Sequence, residues 1–445
     1  MTEYDLIVIG SGPAGEKGAA QAAYFGKRVA VIEKDAPLLG GASTNTGTLP
    51  SKTLRESALA LSGIASRGLE DVVIQVPKPL AAATLMFRER HVVEKERGRI
   101  RWNLESRHGV KLYAGAAKLV DPHTVQVNGE RLTAPVILLA TGSRPHRPSW
   151  IPFEEELVYD SDEILVMKNV PESLIVLGSG VIACEYACLF AALGTDVTIL
   201  DGRDKLLGFL DDELVDAFGR EVRRLGMKVQ LGDAPNACSV KGDVCTVGTV
   251  GGKTYTAGAV LAAAGRSGNT AGLGLEEIGI APDKRGSLTV NEHFQTAVPH
   301  IYAAGDVVGF PALASVSMEQ GRVAVCHAFG FTYKQKISPL LPMGIYTIPE
   351  ISAIGATEGE LKQQGVDYVV GRALMSMNAR GQILGAENGF LKLLFSPDKK
   401  LLGAHLFGPG ATDLIHIGLM AMHAGSTIDV FIDAVFNYPT LSELY

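Results

Sequence analysis

The sequence predicts an α/β fold with two Rossmann-like domains, and three observations predict it. A continuous apolar run, Tyr4–Gly10, leads into Gly10-x-Gly12-x-x-Gly15, as a buried parallel strand leads into a tight turn and a helix. The same strand–turn–helix–strand pattern returns at Leu174–Asp201. The 445 residues, 47% hydrophobic and 20% charged, suffice for two or three domains with filled cores.

In the first copy a helix-like stretch closes at Gly26, and a second strand runs over Arg28–Glu33. In the second copy Leu174–Gly178 is the strand and Gly178-x-Gly180-x-x-Ala183 the turn. Gly194 ends the helix and Asp201 ends the next strand. The register is identical: 23 residues separate Gly10 from Glu33 and Gly178 from Asp201. Such glycines allow a tight turn and let a pyrophosphate approach a helix N-terminus, and the terminal carboxylate can accept hydrogen bonds from an adenosine ribose. One such turn is weak evidence; two in one register, each in its strand–turn–helix–strand context, imply two bound dinucleotides.

Asp201 bears on which dinucleotide the second copy takes. A carboxylate there accepts from a free 2′-hydroxyl and repels a 2′-phosphate, which favours NAD. Arg203 and Lys205 lie close enough to offset that repulsion if their loop turns inward, or else they form a solvated basic face. The site therefore reads as preferring NAD without excluding NADP.

Further along, Val136–Gly142 (VILLATG) reads as a buried strand ending in Ala-Thr-Gly. Pro145, Pro148 and Pro152 mark a linker into the second copy, and Ala264-Gly265-Arg266 marks the way back out. His300–Asp306 (HIYAAGD) ends in Gly-Asp, where the aspartate could also be a helix cap.

Composition excludes several classes. The net charge of −7, from 41 basic against 48 acidic residues, leaves no basic stripe for nucleic acid. No apolar run is long enough for a bilayer span. The first residues enter an apolar strand at once, so no cleavable signal is expected. Cys184, Cys188, Cys238, Cys245 and Cys326 include no CxxC pair, a pattern that fits a reducing cytoplasm. Cys184 and Cys188, four apart on a helix, read as packing residues. His405, His416 and His423 lack metal-site spacing, so no metal is expected.

Between Gly40 and Lys52 the chain reads GGASTNTGTLPSK. This resembles the redox-active loop of flavin-dependent disulfide reductases such as glutathione reductase and dihydrolipoamide dehydrogenase, whose pattern is GGxCxNxGCxPSK. Gly40, Gly41, Asn45, Gly47, Pro50, Ser51 and Lys52 match, while Ser43 and Thr48 stand where that family has cysteines. Hydroxyls cannot undergo thiol–disulfide exchange. In the same family a histidine precedes Pro-Thr-x-x-Glu near the C-terminus; here Tyr438 precedes Pro439-Thr440-Leu441-Ser442-Glu443. A phenol ionising near ~10 is a poor proton shuttle at neutral pH. The sulfurs and the histidine are absent together, which points to a changed reaction.

Longer stretches, GSGPAGEKGAA, NTGTLPSKTLRE, YDSDEIL, GRSGNT, GIYTIPEIS and FNYPTLSE, resemble the soluble, Si-specific pyridine nucleotide transhydrogenase branch of this flavoprotein superfamily. Thr48 and Tyr438 match substitutions of that branch; Ser43 departs from it, since its members often keep the first cysteine. The resemblance implies a glutathione reductase-like fold: two Rossmann-like dinucleotide-binding domains plus a C-terminal α+β dimerisation domain. It implies an FAD-binding domain over 1–150 and 266–335, an NAD(P)-binding domain over 151–265 and an interface domain over 336–445 that forms a homodimer.

On this resemblance FAD is held by Gly10, Gly12, Gly15, Glu33, Lys34, Gly41, Ser43, Lys52, Thr141, Gly142, Asp306 and Ala314, with Asp306 on the ribityl chain. Gly178, Gly180, Ala183, Glu185, Asp201 and Gly265 serve the nicotinamide dinucleotide. Lys52, paired with Glu185, is expected by the flavin N5; the bland alternative is a surface lysine and a helix glutamate. Thr48 replaces the sulfur nearest the ring, and Tyr438 occupies the base position while the family's glutamate remains as Glu443. The implied reaction moves hydride between NADPH/NADP and NADH/NAD by ping-pong through the flavin, without a redox-active disulfide. Two other readings stay open: an NAD(P)H oxidase or quinone reductase, and a non-enzymatic redox-sensing flavoprotein.

Overall fold

A computed structural model describes residues 2–63, 76 and 80–445. The chain forms two compact units: Met1–Thr53 with Met86–His146 and Ala264–Ser338, and Leu54–Leu85 with Arg147–Ala263 and Pro339–Tyr445.

In the first unit the apolar run after Tyr4 becomes the strand Leu6–Ile9, buried at every position. It is the middle of a five-stranded parallel sheet in the order Ile301–Ala303, Val136–Leu139, Leu6–Ile9, Val29–Glu33, Lys111–Ala114. Side chains alternate across a strand, and the two cores follow that alternation. Leu6 and Val8 pack with Ala14, Ala19 and Ala22 of the helix Pro13–Tyr24 and with Ala324 and Val325 of the helix Ala314–Ala328. Ile7 and Ile9 face the other way, onto Leu119, Val125 and Leu132 of a second, four-stranded sheet. Full burial of each such side chain contributes roughly 1.5–3 kcal/mol. The strand order reverses beside Leu6–Ile9, and ligands bind at the carboxyl ends of strands where that happens.

The second unit repeats this plan. Its parallel sheet runs Val158–Asp160, Ala259–Ala262, Ser173–Leu177, Asp196–Leu200, Lys228–Gln230. A three-stranded antiparallel sheet, Pro235–Lys241, Val244–Thr249 and Thr254–Ala257, packs Cys245 and Val247 against Ile175 and Val260. The helix Val181–Ala192 buries Cys184 and Cys188. Burial raises both thiols, that of Cys188 to about 12, as expected of packing residues.

The same unit carries a five-stranded antiparallel sheet in the order Met343–Ile345, Ile351–Gly355, Leu401–Phe407, Phe390–Phe395, Val369–Leu374. Ile354, Ala404 and Leu406 on this sheet pack with Ala411 and Ile415 of the helix Ala411–His423. Among the described residues no helix is long and apolar enough to cross a membrane.

Candidate dinucleotide sites

In the first unit the chain leaves Ile9 and turns at Gly10, whose φ is +102°. A Cβ there would stand 2.3 Å from the carbonyl oxygen of Ala140, so the turn tolerates only glycine. Gly12 starts the helix Pro13–Tyr24 with no side-chain cap, leaving its first amides to an anion. Gly41, at φ +60°, packs on this turn: its Cβ would lie 2.9 Å from Gly12 Cα.

Glu33 sits at the end of the neighbouring strand. Ser11 donates to its Oε2 twice, from the amide at 2.9 Å and from the hydroxyl at 2.6 Å. The Ser11 hydroxyl also accepts from the Gly40 amide at 3.0 Å. One buried serine thus joins the glycine turn, the acidic strand end and the Gly40–Lys52 loop. That loop begins as the short helix Gly41–Asn45, with Ser43 Oγ 3.4 Å from the Gly40 carbonyl. Asn45 donates to the carbonyls of Leu38 and Gly41 and accepts from Arg97 Nε at 2.6 Å. Exposed Thr48 opens the helix Thr48–Leu61, and Lys52 Nζ lies 3.3 Å from Ser51 Oγ. Lys34 is exposed.

Thr141 Oγ1 is buried without a hydrogen-bond partner among the described residues. Asp306 opens a short 3-10 helix, and Ser143 Oγ donates to its Oδ2 at 3.0 Å. Arg266 donates in turn to Ser143, through Nε to Oγ at 2.7 Å and through Nη2 to the carbonyl at 2.8 Å. Gly265 accepts from the His146 amide at 2.9 Å, and Ala314 begins the helix Ala314–Ala328 with no side-chain cap ahead of it. An uncapped helix start, a fixed carboxylate and an orphaned buried hydroxyl fit a dinucleotide.

In the second unit Gly178, Gly180 and Ala183 form the matching turn, and Gly180 starts its helix with no side-chain cap and open space around its Cα. Asp201 ends the next strand. Here a cation holds the acid: Arg203 donates through Nε at 3.2 and 3.1 Å, through Nη2 at 2.6 Å and through its amide at 2.9 Å. Burial alone would raise the Asp201 carboxyl, but these bonds more than offset it and hold the group below its ordinary value. Lys205 points elsewhere, pairing with Asp212 at 2.6 Å.

Buried Glu185 accepts from the Tyr346 amide at 2.8 Å. The segment around Tyr346 is braced by Arg55, which donates to the Thr347 carbonyl at 3.0 Å and pairs with Glu350 at 3.4 Å. Lys52 and Glu185 belong to different units. Tyr438 is 71% exposed. The Glu443 carboxylate accepts from the Thr440 amide at 3.0 Å in a capping box, so the structure shows it holding the last short helix.

The loop after Asp201 is anchored by Lys392, only 2% exposed. Its Nζ lies 2.6 Å from Asp211, 3.0 Å from Glu358 and 3.3 Å from Glu213. Burial opposes every charge here, yet the mutual bonds lower the Asp211 and Glu358 carboxyls and raise the Lys392 ammonium. Sequence reasoning missed Ser11, Ser143, Arg266, Arg55 and Lys392. Only Ser11 carried a signal: Ser179 repeats it in the second copy. All five cysteines are free thiols, and among the described residues no group of three or more His, Cys, Asp or Glu could hold a metal.

The family model for pyridine nucleotide-disulphide oxidoreductases matches residues 4–321, and that for their dimerisation domain matches residues 341–445. The chain belongs to this family of oxidoreductases and has its glutathione reductase-like fold. It is 47% identical to a soluble pyridine nucleotide transhydrogenase of Mycobacterium bovis (strain BCG / Pasteur 1173P2), over 100% of this chain and 96% of that one. With a soluble pyridine nucleotide transhydrogenase of Marinomonas sp. the identity is 41%, over 99% and 96% of the two chains. Among solved structures, LpdA from Mycobacterium tuberculosis superposes with a TM-score of 0.91 at 26% identity, covering 100% and 98%. The HOCl-induced flavoprotein disulfide reductase RclA from Escherichia coli gives 0.89 at 27%, covering 99% and 98%.

Proposed function

We propose that this chain is an FAD-dependent pyridine nucleotide transhydrogenase, moving hydride between NADPH/NADP and NADH/NAD with ping-pong kinetics. The observation that carries the reading is two nucleotide turns in one register beside a disulfide-reductase loop whose sulfur positions are Ser43 and Thr48. The names of the full-length relatives support it. FAD belongs to residues 1–150 and 266–335, the nicotinamide dinucleotides to 151–265, and a homodimer forms through 336–445 in the cytoplasm.

When bound, FAD supplies a group that accepts and returns a hydride. The chain's residues do the rest. The Gly10 and Gly178 turns bind pyrophosphates, Glu33 and Asp201 receive ribose hydroxyls, and Asp306, aligned by Ser143, receives the ribityl chain. Lys52 brings a positive charge beside the flavin ring, where charge develops during hydride transfer. Ser43 and Thr48 close the path to disulfides, and Tyr438 supplies no neutral-pH base.

Purified holoprotein turning over NADPH with thio-NAD tests this. The expected result is parallel double-reciprocal lines, with nucleotide exchange faster than oxygen consumption. Rapid quinone reduction with negligible exchange would reject it in favour of a quinone reductase. Absence of any turnover would favour a sensor.

A further inference from the structure

The helix Asp212–Arg224 opens on an acidic first turn, and the five-stranded antiparallel sheet meets that turn with cations. Arg372, Lys392 and His405 stand in register on three neighbouring strands of the sheet. Lys392 carries three N–H donors and faces three carboxylates, those of Asp211, Glu213 and Glu358. Asp211 is just as fully engaged. It caps the helix by accepting from the Glu213 amide at 3.1 Å, and it accepts from the Glu358 amide at 3.0 Å and from Lys392 at 2.6 Å.

Asp211 also ends the segment that starts after Asp201. Within that segment the Arg203 carbonyl accepts from the Gly232 amide at 3.0 Å, and the Leu207 amide donates to the Ser179 carbonyl at 2.9 Å. Ser179 lies inside the Gly178-x-Gly180 turn, so the segment is stitched to the nucleotide turn itself. Leu207 is buried with φ at +49°. A leucine keeps this left-handed conformation only where its surroundings impose it. Ser179 holds it on one side. On the other, the Leu210 amide donates to the Leu207 carbonyl at 3.0 Å and joins it to Asp211.

We propose that Lys392 is a positioning residue for the nicotinamide dinucleotide: by fixing Asp211 it holds residues 202–211 against the Gly178 turn. Nucleotide affinity then depends on Lys392, while the hydride step, at the nicotinamide end of the molecule, does not. The inference rests on assigning the second unit's turn to nicotinamide dinucleotides, and it adds a residue from outside 151–265 to that site.

The test is calorimetric titration of the oxidised, FAD-loaded protein with NAD, paired with stopped-flow reduction of its flavin by NADPH. Lys392→Met is expected to weaken NAD about 10-fold, while the reduction rate at saturating NADPH changes by less than about 2-fold. Lys392→Arg, which keeps the charge, falls between Lys392→Met and wild type. Asp211→Asn weakens NAD to a similar degree. Adding it to Lys392→Met brings little further loss, because both act through one bond. Ile415→Ala opens a cavity in the core on the opposite face of the same sheet. It lowers the melting temperature and leaves NAD affinity unchanged.

Unchanged NAD affinity in Lys392→Met, a loss confined to the saturating rate, or equal weakening in Ile415→Ala would overturn the proposal and leave the transhydrogenase reading intact. Should Lys392→Met fail to fold, Asp211→Asn and Lys392→Arg decide by the same criteria. Wild-type protein that binds NAD but returns no hydride to it would sink the transhydrogenase reading, and the calorimetric comparison would still judge Lys392.

Discussion

The two nucleotide turns share a register of 23 residues and differ in what holds the acid at its end. Glu33 is held by neutral donors from inside the turn, the amide and hydroxyl of buried Ser11. Ser179 occupies the matching place beside Asp201 without a well-formed bond to it, and the holding is done by the exposed cation of Arg203. Neutral bonds tied also to Gly40 make the first site a fixed cradle, suited to a cofactor that stays. A charged, solvent-facing pair makes the second adjustable, suited to nucleotides that come and go. On the proposed assignment of FAD to the first turn and nicotinamide nucleotides to the second, the partner of one carboxylate would separate retention from exchange.

The contrast is sharpest where charge is most deeply buried. Replacing Lys392 by Met leaves buried Asp211 without its cation at the base of the Asp201 loop, while Glu358 keeps Lys362 and Arg372. The expected loss of stability is about 3–5 kcal/mol, the usual result of removing one partner of a buried ion pair. Chemical denaturation followed by far-ultraviolet dichroism measures it. Asp211 and Glu358 carry lowered values, so their contribution is present above their unfolded values of 3.8 and 4.5 and lost as pH falls through the folded ones. Lys392 is raised, so its contribution is complete below 10.5 and lost only as pH rises through its folded value. Stability from this cluster should therefore be level between about pH 5 and pH 10.

A middle-sized effect is expected in the first turn. Ser11→Ala removes the hydroxyl shared by Glu33 and the Gly40 amide, at a cost of about 1–3 kcal/mol. On the proposed placement of FAD at this turn, flavin content on purification should fall along with the melting temperature. Retention of full flavin would show that the serine merely tidies the turn.

The smallest effect is at Asp201. Asp201→Asn should change stability at neutral pH by no more than about 1 kcal/mol, since its partner Arg203 is largely exposed. The carboxyl is lowered, so even this difference is present above 3.8 and disappears as pH falls through the folded value. A large stability loss at neutral pH would mean that the pair is structural and not poised for ligand exchange.

Much of the site was legible because its signals are local. Glycine at φ +102° against a carbonyl can be read from a turn motif without knowing the neighbour. The strands Leu6–Ile9 and Ser173–Leu177 showed as apolar runs for the same reason. The sequence left open whether Arg203 and Lys205 face a nucleotide or solvent, and the coordinates pair exposed Arg203 with Asp201 and Lys205 with Asp212. Glu443 was attached in sequence to Tyr438 by family pattern, yet its carboxylate closes a capping box on Thr440.

By itself the sequence determined the repeated nucleotide unit, the family loop without sulfur and the acids that end both strands, because each is specified within a few residues. Tertiary structure decided who holds those acids and braces. Arg266 reaches Ser143 from 123 positions away, Tyr346 reaches Glu185 from 161, and Lys392 reaches Asp211 from 181. Such pairings depend on how strands and loops pack, since burying a polar group requires a partner wherever the fold supplies one, and no local pattern records where that will be.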